Sequence, residues 1–543
     1  MKGILALGVV LIFSFAAMAL ESASDDSKSI SVPSVPVAAD VVVYGSTPAA
    51  LTAAISAKRG GASVVVVSPE TRIGGLTTGG LGYTDIGDKR AFGGLALRFY
   101  RDVAAHYGSK DDSMWTFEPS AALAILERWE REDGLEIVRG EYLDRRRGGV
   151  TVADDRIVSF KTLSGRVFRG KMFVDATYEG DLMAVAGVSY AVGRESNAEY
   201  GETLDGVQYA QAKYHQFREG VDPYVVKDDP SSGLLPGIEA GKVEPDGTGD
   251  RRVQAYCFRM CLTDDSANRI PFRKPEGYDE RIYELLFRNF ECGADAEPLP
   301  WINSRMPNRK TDTNNRGAFS TDFIGQNGNW TEGTYAEREQ ILLAHLRFQQ
   351  GLMWTLANHP RVPEKVRAEV SRWGTCKDEF LDGFGDGWQR QLYVREARRM
   401  KGEYVMTEAN CRRTVESARP IAMAAYKMDS HHVRRIVDAQ GFVKNEGDVE
   451  VGGGNGPYGI DYGAIVPKRG ECRNLYVPVC LSASHIAFGS IRMEPVFFAL
   501  GQAAGTAAAQ AVAAGCDVQD LPYAPLAAQL VRDGQVIRLS EPR

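Results

Sequence analysis

Three groups of side chains in this chain have the chemistry that catalysis needs. In the first group, His485, Arg492 and Glu494 stand just before a run of small and apolar residues that predicts a helix over Val496–Ala513. An imidazole titrates near neutral pH, so His485 is a candidate proton acceptor, and the Arg492 guanidinium can hold an anion or a substrate oxygen. The alternative for His485 is a core histidine that caps backbone groups.

The second group is the run Asp429-Ser430-His431-His432. His431 is the candidate from this run to line a substrate pocket and to act in catalysis. Adjacent histidines point in different directions in any regular element, so a metal site built on this pair is disfavoured. We therefore expect no metal ion.

The third group is Arg395, Glu396, Arg398 and Arg399, whose charges fall at spacings of three and four residues. One interpretation is a salt-bridged helix surface. The other is recognition of a carboxylate or a polyhydroxylated substrate, for which arginine is suited.

The segment from Asp40 to Gly82 carries the strongest structural signal. The apolar run Val41–Val43 leads to a tight turn at Gly45, and a small-residue helix over Ala49–Lys58 precedes a second apolar run at Val64–Val67. This order predicts a βαβ unit whose helix N-terminus points at an anion, usually the pyrophosphate of a dinucleotide.

The glycine fingerprint of such units is incomplete here. The usual triplet falls on Gly45, Thr47 and Ala50, and the acid that normally holds the ribose is replaced by Ser68, with Glu70 two residues further on. The alternative is an ordinary βαβ start with a tight turn.

A glycine-rich segment, Gly74–Gly80, follows and lets the backbone approach a large flat group, which we interpret as the isoalloxazine ring of FAD. An apolar strand over Lys171–Val174 then ends in Asp175-Ala176-Thr177, at the sheet edge where ligands sit. The dipole of the final helix can stabilise negative charge on reduced flavin. The predicted FAD-binding residues are Gly45, Ser46, Thr47, Pro48, Ala49, Ser68, Glu70, Gly74, Gly75, Leu76, Thr78, Gly79, Asp175, Ala176, Thr177, Glu494 and Pro495.

The composition is that of a soluble globular protein. The 543 residues are enough for two or three domains, with 44% hydrophobic and 25% charged residues. The formal net charge of −7 argues against a nucleic-acid partner, and loss of residues 1–19, which contain only Lys2 as a charged residue, would make it −8.

The N-terminus has the pattern of a secretory signal peptide. Lys2 precedes the apolar stretch Ile4–Ala16, and Ala17-Met18-Ala19 fits a cleavage site, with Glu21-Ser22-Ala23 as a second candidate. The alternative is an N-terminal membrane anchor of marginal length. We expect an exported protein, periplasmic or secreted, with no stable membrane span after cleavage.

Export changes the interpretation of the eight cysteines. An even number in an oxidising compartment permits disulfides, but the sequence does not pair them. Cys257 and Cys261 are four residues apart, which fits one helix face or a buried strand equally well. No CxxC motif occurs, so an iron–sulfur cluster is not expected.

The pattern along the chain predicts six segments. They are a signal peptide (1–19), a linker (20–38), a first part of the FAD-binding domain (39–198), a substrate or cap domain (199–455), a second part of the FAD-binding domain (456–520) and a C-terminal tail (521–543). The cap segment has helical stretches at Ala336–Leu356 and Pro363–Trp373. Before it, Leu135–Arg147 and Ile157–Phe168 are predicted as strands of a hairpin-like meander.

Five sequence blocks resemble a known family. They are GGLTTGGLGYTD (74–85), DATYEGDL (175–182), QAYCFRMCLTDD (254–265), YVREARRMKGEYVMTE (393–408) and NLYVPVCLSASHIAFGSIRMEP (474–495). Together they resemble exported FAD-dependent oxidoreductases, which are labelled xanthan-lyase-like or placed near heterodisulfide-reductase-like flavoproteins.

The resemblance spans residues 40–515. It implies an α/β fold: a glutathione-reductase-like, Rossmann-type FAD-binding domain, split in sequence, with an inserted α+β substrate domain. The heterodisulfide-reductase label would bring iron–sulfur clusters, which the cysteine spacing does not support.

These observations predict FAD-dependent oxidation of a small organic substrate. Hydride passes from a substrate C–H bond to flavin N5 while a base takes a proton. A sugar or glycoside is favoured because Trp301, Trp330, Trp354 and Trp388 offer stacking surfaces. The alternatives are a non-redox flavoprotein lyase or isomerase acting on polysaccharide, and a non-catalytic carbohydrate-binding protein. NAD(P)H is not normally available after export, so a quinone, a redox protein or oxygen is the expected electron acceptor.

Overall fold

The computed structural model describes residues 36–294, 301–451 and 456–539. The predicted signal peptide and most of the predicted linker lie outside the described residues. The helices are α1 (Pro48–Arg59), α2 (Gly75–Thr78), α3 (Gly94–His106), α4 (Pro119–Glu132), α5 (Asp181–Val185), α6 (Asn197–Tyr200), α7 (Glu284–Glu291), α8 (Tyr335–Asn358), α9 (Glu364–Val370), α10 (Glu408–Cys411), α11 (His485–Ile491), α12 (Glu494–Ala514) and α13 (Tyr523–Arg532).

The strands are short, apart from the two that carry the central sheet. They are β1 (Val37–Tyr44), β2 (Val64–Ser68), β3 (Glu136–Arg139), β4 (Val150–Ala153), β5 (Arg156–Lys161), β6 (Val167–Asp175), β7 (Tyr190–Val192), β8 (Met260–Thr263), β9 (Arg269–Ile270), β10 (Trp301–Arg305), β11 (Lys310–Asn315), β12 (Gly374–Cys376), β13 (Arg398–Met400), β14 (Pro420–Ala424), β15 (Met428–Ser430), β16 (Arg434–Val437), β17 (Val443–Glu446), β18 (Val449–Val451), β19 (Tyr458–Asp461) and β20 (Leu475–Tyr476).

The central sheet is parallel at its core and contains strands from the N-terminal and C-terminal parts of the described chain. Its order is β3-β2-β1-β6, and β20 pairs in parallel with the carboxyl end of β6. The antiparallel hairpin β4-β5 pairs with the amino end of β6. The run Val41–Val43 is buried on both faces, as expected for a parallel strand covered by helices.

The expected meander between the first βαβ unit and β6 is partly wrong. The segment Leu135–Arg147 contains β3, which pairs in parallel with β2, so it extends the central sheet. The hairpin is formed instead by β4 and β5. The β3 segment follows helix α4, and a strand after a crossover helix can return parallel to its neighbour.

Helix α12 lies directly on helix α1. A Cβ atom on Gly501 would be 2.3 Å from the carbonyl oxygen of Ala49, and one on Gly505 would be 2.0 Å from that of Ala53. The two glycines therefore allow the two helices to meet backbone to backbone. Of the described helices, only α12 is long and apolar enough to cross a membrane, and 83% of its apolar window is buried in the protein, as in a core helix.

A second sheet lies in the segment between β6 and β20. Its order is β10-β11-β8-β12-β9, and all its pairings are antiparallel. Helices α7, α8 and α9 contribute to its hydrophobic core, which includes Phe287, Leu352 and Val366. The predicted helices of this segment are present as α8 and α9, and α8 begins with a capping box at Thr334 and Glu337.

The chain rejoins the main core before residue 455. Strand β13 pairs with β7, and Met406 and Ile421 pack in the same core as Val41 and Phe498. The predicted boundaries at 198/199 and 455/456 stay predictions. After α12, Leu526 and Leu530 of α13 also belong to this core.

Candidate functional site

Gly45 forms a turn that no larger residue fits. It follows β1 with φ of +140°, and a Cβ atom there would lie 2.4 Å from the carbonyl oxygen of Ala176. The register pairs Tyr44 with Asp175, so the turns after β1 and β6 are adjacent at the carboxyl edge of the sheet. Glycine is therefore required at this position.

Thr47 caps helix α1 and ties it to β6. Its hydroxyl accepts a hydrogen bond from the Ala50 amide (3.4 Å) and donates one to Ala176 O (2.7 Å). Pro48, at the first helical position, has no amide hydrogen to satisfy. The free end of α1 therefore points its dipole at the edge formed by these turns.

Ser68, at the end of β2, stands where the usual dinucleotide fingerprint has an acidic residue. Ser68 Oγ donates to the carbonyl oxygen of Glu70 (2.6 Å), which fixes the turn. The Glu70 carboxylate accepts from the Tyr142 hydroxyl (3.0 Å), and burial raises the pKa of Glu70. Glu70 is thus the acid nearest in sequence to Ser68, which occupies the position of the usual ribose ligand.

Asp175 is occupied by its own turn. Its carboxylate accepts from the Thr177 amide (3.1 Å), the Thr177 hydroxyl (2.7 Å) and the Met183 amide (2.9 Å). Burial raises its pKa to about 6. The backbone of Ala176, rather than the Asp175 side chain, is what faces the Gly45 turn.

The glycine-rich segment is fastened to the start of α12. The Leu76 amide donates to the Tyr178 hydroxyl (2.9 Å), which donates to Glu494 (2.8 Å). Thr77 donates to the other Glu494 oxygen (2.7 Å), and Gly74 N donates to Ser46 O (2.6 Å). Burial raises the pKa of Glu494 to about 7, against the lowering effect of its two hydroxyl donors.

The tail of this segment packs against protein. A Cβ atom on Gly79 would lie 2.4 Å from Gln391 Cβ, and one on Gly80 would lie 2.0 Å from Arg259 O. The sequence predicts that these glycines make room for a flat ligand. In the described residues, Gly79 is packed against Gln391 and Gly80 against Arg259 instead. Ala49, Thr78 and Pro495 of the predicted FAD-binding set are buried in their helices.

A cluster of charged side chains surrounds Tyr393. The guanidinium carbons of Arg395, Arg492 and Arg259 lie 4.5, 5.7 and 5.8 Å from the centre of its ring. Arg492 Nη1 donates to the Tyr393 hydroxyl (2.7 Å). Among the described residues we find no acceptor for the hydroxyl hydrogen of Tyr393, which leaves that hydrogen available to a ligand.

Two carboxylates connect His431 to the arginines beside Tyr393. Asp322 Oδ1 lies 2.9 Å from Arg395 Nη2, and Asp322 Oδ2 lies 3.0 Å from His431 Nδ1. Asp429 Oδ2 lies 3.7 Å from His431 Nε2 and 3.3 Å from Arg492 Nη2. We call the set Asp322, Tyr393, Arg395, Asp429, His431 and Arg492 the Tyr393 cluster.

Electrostatics keep the two carboxylates of this cluster ionised. Burial alone would raise the pKa of Asp429, but His431 and Arg492 lower it to about 2. Asp322 has a depressed pKa for the same reason: burial is outweighed by Arg395 and His431. Burial raises the pKa of Tyr393, and the three arginines only oppose this rise, so its phenol stays protonated at neutral pH.

His485 lies in a different network. Its Nδ1 is 2.8 Å from Glu396 Oε2, and its amide donates to Glu195 (3.0 Å). Arg399 pairs with both carboxylates. Burial, with Arg399 nearby, lowers the pKa of His485 to about 3, so the ring is neutral.

The two predicted catalytic histidines are connected by Gln254. Its side-chain oxygen accepts from the His431 amide (3.1 Å), and its side-chain nitrogen donates to Glu396 (2.7 Å). Thus His431 and Arg492 share one partner, Asp429. Between His485 and His431 the connection runs through two residues, Glu396 and Gln254.

The helix-surface interpretation of residues 395–399 is wrong. This segment is an extended chain that leads into β13, and Arg395, Glu396 and Arg399 are at most 1% exposed. Arg398 pairs with the buried Asp181 (2.8 Å). A charge pattern with helical spacing also fits a buried extended segment when each charge has a partner. Here Glu396 and Arg399 pair with each other, and the other partners, Asp322, Asp181, Glu195 and His485, are remote in sequence.

A small cavity of about 10 Å³, room for a single water molecule, joins the glycine-rich segment to the Tyr393 cluster. Leu76, Tyr178 and Glu494 line one part of it, and Tyr393, Glu396 and Arg492 line another. The cavity therefore sits between the predicted flavin-binding residues and the charged side chains.

His432 is structural. Its Nε2 lies 3.2 Å from the Tyr214 carbonyl oxygen, its Nδ1 accepts from the Asp448 amide (3.3 Å), and burial lowers its pKa to about 3. Both ring nitrogens are thus used by backbone groups.

One histidine–carboxylate group in the described chain has the spacing of a metal site: His215, Asp448 and Glu450. Gly317 N donates to His215 Nδ1 (2.9 Å), so the neutral ring carries its proton on Nε2, next to Glu450. A ligating histidine needs the opposite arrangement.

Tyr393 and Asp322 were missed by the sequence analysis. Tyr393 is the first residue of the block YVREARRMKGEYVMTE, in which the spacing of the charged residues is the dominant pattern. Asp322 stands in a segment with no recognisable motif, and it reaches His431 only because the second sheet brings residues 322 and 431 together. No sequence signal could have found it.

A parallel sheet with a glycine turn, a capped helix and a cavity at its carboxyl edge defines a Rossmann-like nucleotide-binding protein. Residues 40–530 match the model of the FAD dependent oxidoreductase family, and the chain belongs to that family. FAD is its cofactor. This confirms the family part of the resemblance; the narrower labels and export remain predictions. No curated protein sequence matches the chain.

Several solved structures resemble the chain at low similarity. They include a flavin-containing monooxygenase from Stenotrophomonas maltophilia (18% identity, 32% of this chain and 45% of that chain, TM-score 0.19). Others are a p-nitrophenol 4-monooxygenase from Pseudomonas putida (15%, 30% and 46%, 0.21) and the T. acidophilum thioredoxin reductase (16%, 30% and 40%, 0.17). Each match spans less than half of the other protein.

The residues at the sheet edge fit FAD. The Gly45 turn and the end of α1 suit the pyrophosphate, Glu70 suits the ribose, and Leu76 and Glu494 line the cavity. When bound there, FAD supplies a hydride acceptor.

Proposed function

We propose that this FAD-dependent oxidoreductase oxidises a small polyhydroxylated substrate, a sugar or a glycoside, by hydride transfer to flavin N5. The observation that carries the proposal is that His431 and Arg492, predicted from separate motifs, meet at Asp429 beside the cavity that Leu76 and Glu494 line.

His431 is the proton acceptor in this proposal. Asp322 lies 3.0 Å from Nδ1 and fixes the orientation of the ring, so that proton transfer takes place at Nε2, on the side of Asp429. A base oriented in this way can take the proton from a substrate hydroxyl as the hydride leaves the adjacent carbon. The sequence analysis favoured His485 for this role. Neither histidine is among the residues that line the cavity, but the His485 ring is buried and its Nδ1 is held by Glu396, whereas Asp429 connects His431 to Arg492, which does line the cavity.

Arg492 and Tyr393 hold the substrate oxygen. Both line the cavity, and the Tyr393 oxygen already accepts from Arg492, so its own hydrogen can be donated to the substrate. Arg492 Nε is buried and has no partner among the described residues. A substrate oxygen would satisfy these donors, which otherwise remain costly to bury.

The support for a sugar comes from charge and not from the tryptophans. Trp301 and Trp330 are buried in the second core, so the expectation that they stack on sugar rings is wrong. Trp388 belongs to the same core but lines a separate pocket with Arg273 and Asp386. Trp354 packs against Tyr278 and Lys274. Alternating carboxylates and guanidinium groups, as in the Tyr393 cluster, offer both acceptors and donors to neighbouring hydroxyls.

Flavin reduction under anaerobic conditions tests the proposal. The FAD-loaded protein is mixed with neutral sugars, sugar acids and glycosides in a stopped-flow instrument, and loss of flavin absorbance is recorded. His431→Asn should slow reduction roughly 10²–10⁴-fold with FAD content unchanged. His485→Asn is the matched control and should slow it far less.

The flavin-reduction rates of the two variants distinguish His431 from His485 as the base. A slow His485→Asn variant beside a normal His431→Asn variant would return the base to His485. If no candidate substrate reduces the flavin of a fully loaded protein, oxidation is wrong, and a lyase, an isomerase or a binding protein takes its place. Reoxidation by a quinone, a redox protein or oxygen is measured on the reduced enzyme.

A further inference from the structure

Two buried cysteines of the second sheet face each other across neighbouring strands. Strand β12 pairs antiparallel with β8, with Gly374 opposite Thr263 and Thr375 opposite Leu262. Continuing this register by one residue places Cys376 opposite Cys261. Directly opposed residues of antiparallel strands have Cα atoms about 4.5 or 5.5 Å apart, and both distances lie within the range of disulfides.

The side chains already point at each other. Cys261 Sγ and Cys376 Sγ are 3.8 Å apart, and the Cys376 thiol donates to Cys261 O (3.5 Å). Both residues are fully buried, in a cluster with Met306 and Phe380. A rotation about each Cα–Cβ bond, without backbone movement, is the natural way to close this gap to the S–S bond length of about 2.0 Å.

We propose that Cys261 and Cys376 form a disulfide that staples β8 to β12. The two thiols lose two protons and two electrons to a disulfide oxidant, such as oxidised glutathione or a thiol–disulfide oxidoreductase, which is reduced to two thiols. The other six cysteines stay reduced. Both thiols are sealed from solvent in the folded protein, so the bond forms while the strands assemble or when they open locally.

The staple lies beside the candidate site. Cys261 follows Arg259 by two residues, and Arg259 binds Asp312 on β11 through two hydrogen bonds and faces Tyr393. On the other strand, Cys376 leads to Glu379, which binds Lys310 and Ser120. The cross-link therefore fixes one wall of the Tyr393 cluster by a bond that does not depend on FAD or on the substrate.

Peptide mapping tests the cross-link directly. The full chain is produced in an oxidising compartment, its free thiols are alkylated in denaturant, and the digest is analysed by mass spectrometry without reductant. We expect a linked peptide pair containing Cys261 and Cys376, two hydrogen atoms lighter than the sum of the reduced peptides. A second sample, purified from a reducing cytoplasm and incubated with oxidised glutathione, should acquire the same link.

Thermal unfolding of the FAD-loaded protein gives the second readout. Reductant should lower the melting temperature of the wild type by a few degrees, because the bond closes a long loop in the unfolded chain. Cys376→Ser should remove this dependence on reductant, and Cys516→Ser, a change remote from the pair, should keep it. Alkylation of both Cys261 and Cys376 in both oxidised samples, or a link that joins other cysteines, would overturn the proposal.

Discussion

Glu494 is a buried carboxyl group whose partners are two hydroxyls and no cation among the described residues. Its pKa of about 7 means that the folded protein binds a proton that the unfolded chain releases at lower pH. A folded-state pKa above the unfolded one gives stability that is complete below about pH 4.5 and is lost as the pH rises through 7.

Glu494→Gln should therefore be less sensitive to pH than the wild type. Glutamine keeps hydrogen-bonding groups for Thr77 and Tyr178 but carries no charge. Between about pH 4.5 and pH 8 the variant should gain stability relative to wild type, by on the order of 3 kcal/mol at most. Urea unfolding of the FAD-loaded protein at several pH values measures this.

The exposed Glu136→Gln serves as the control, because its carboxylate lies on the surface of β3. It should leave the pH dependence unchanged. Equal pH profiles for wild type and Glu494→Gln would show that Glu494 stays ionised in the folded protein.

At the scale of elements, the contact between α1 and α12 carries the cofactor site. Helix α1 presents its N-terminus to the predicted pyrophosphate position, and α12 begins at Glu494, beside the glycine-rich segment. Their separation is set by Gly501 and Gly505, which touch carbonyl oxygens of α1. Any side chain at these glycines must push the two helix starts apart.

Gly505→Val should destabilise the protein and weaken FAD retention together. The new Cβ would stand 2.0 Å from Ala53 O, and backbone cannot yield as a flexible side chain does. We expect a loss of about 1–3 kcal/mol in the free energy of unfolding. Urea unfolding and flavin absorbance after gel filtration measure the two effects.

Ala513→Val is the matched control on the same helix, because Ala513 is exposed. It adds the same branched side chain without a clash and should leave FAD content unchanged. If Gly505→Val were as stable as the wild type, the two helices could separate at no cost, and close packing of α12 on α1 would not be important for stability.

At the scale of the whole molecule, export remains a prediction that rests on residues 1–19. N-terminal sequencing of the protein from its native host should begin near Leu20 or Ser24, since cleavage is expected after Ala19 or Ala23. A soluble protein that keeps Met1 in the cytoplasm would refute export. Export would also supply the oxidising environment in which the Cys261–Cys376 disulfide persists.

Local pattern was sufficient for the elements that depend on near neighbours. The βαβ unit and helix α12 follow from apolar periodicity, glycine position and proline at the first helical turn. The family blocks added the cofactor, and the family match over residues 40–530 confirms that part of the resemblance. These features could be derived from the sequence because each is encoded within about 30 residues.

The chemistry of the site was decided by contacts between distant segments. Asp322 reaches His431, and the Tyr393 hydroxyl reaches Arg492, only in the folded chain, because about 100 residues separate the members of each pair. The same folding buries residues 395–399, which one interpretation placed on a helix surface, and it places three of the four proposed sugar-stacking tryptophans in a core. A linear sequence states which charges exist, but burial and partnership, which set pKa and reactivity, are properties of the folded chain.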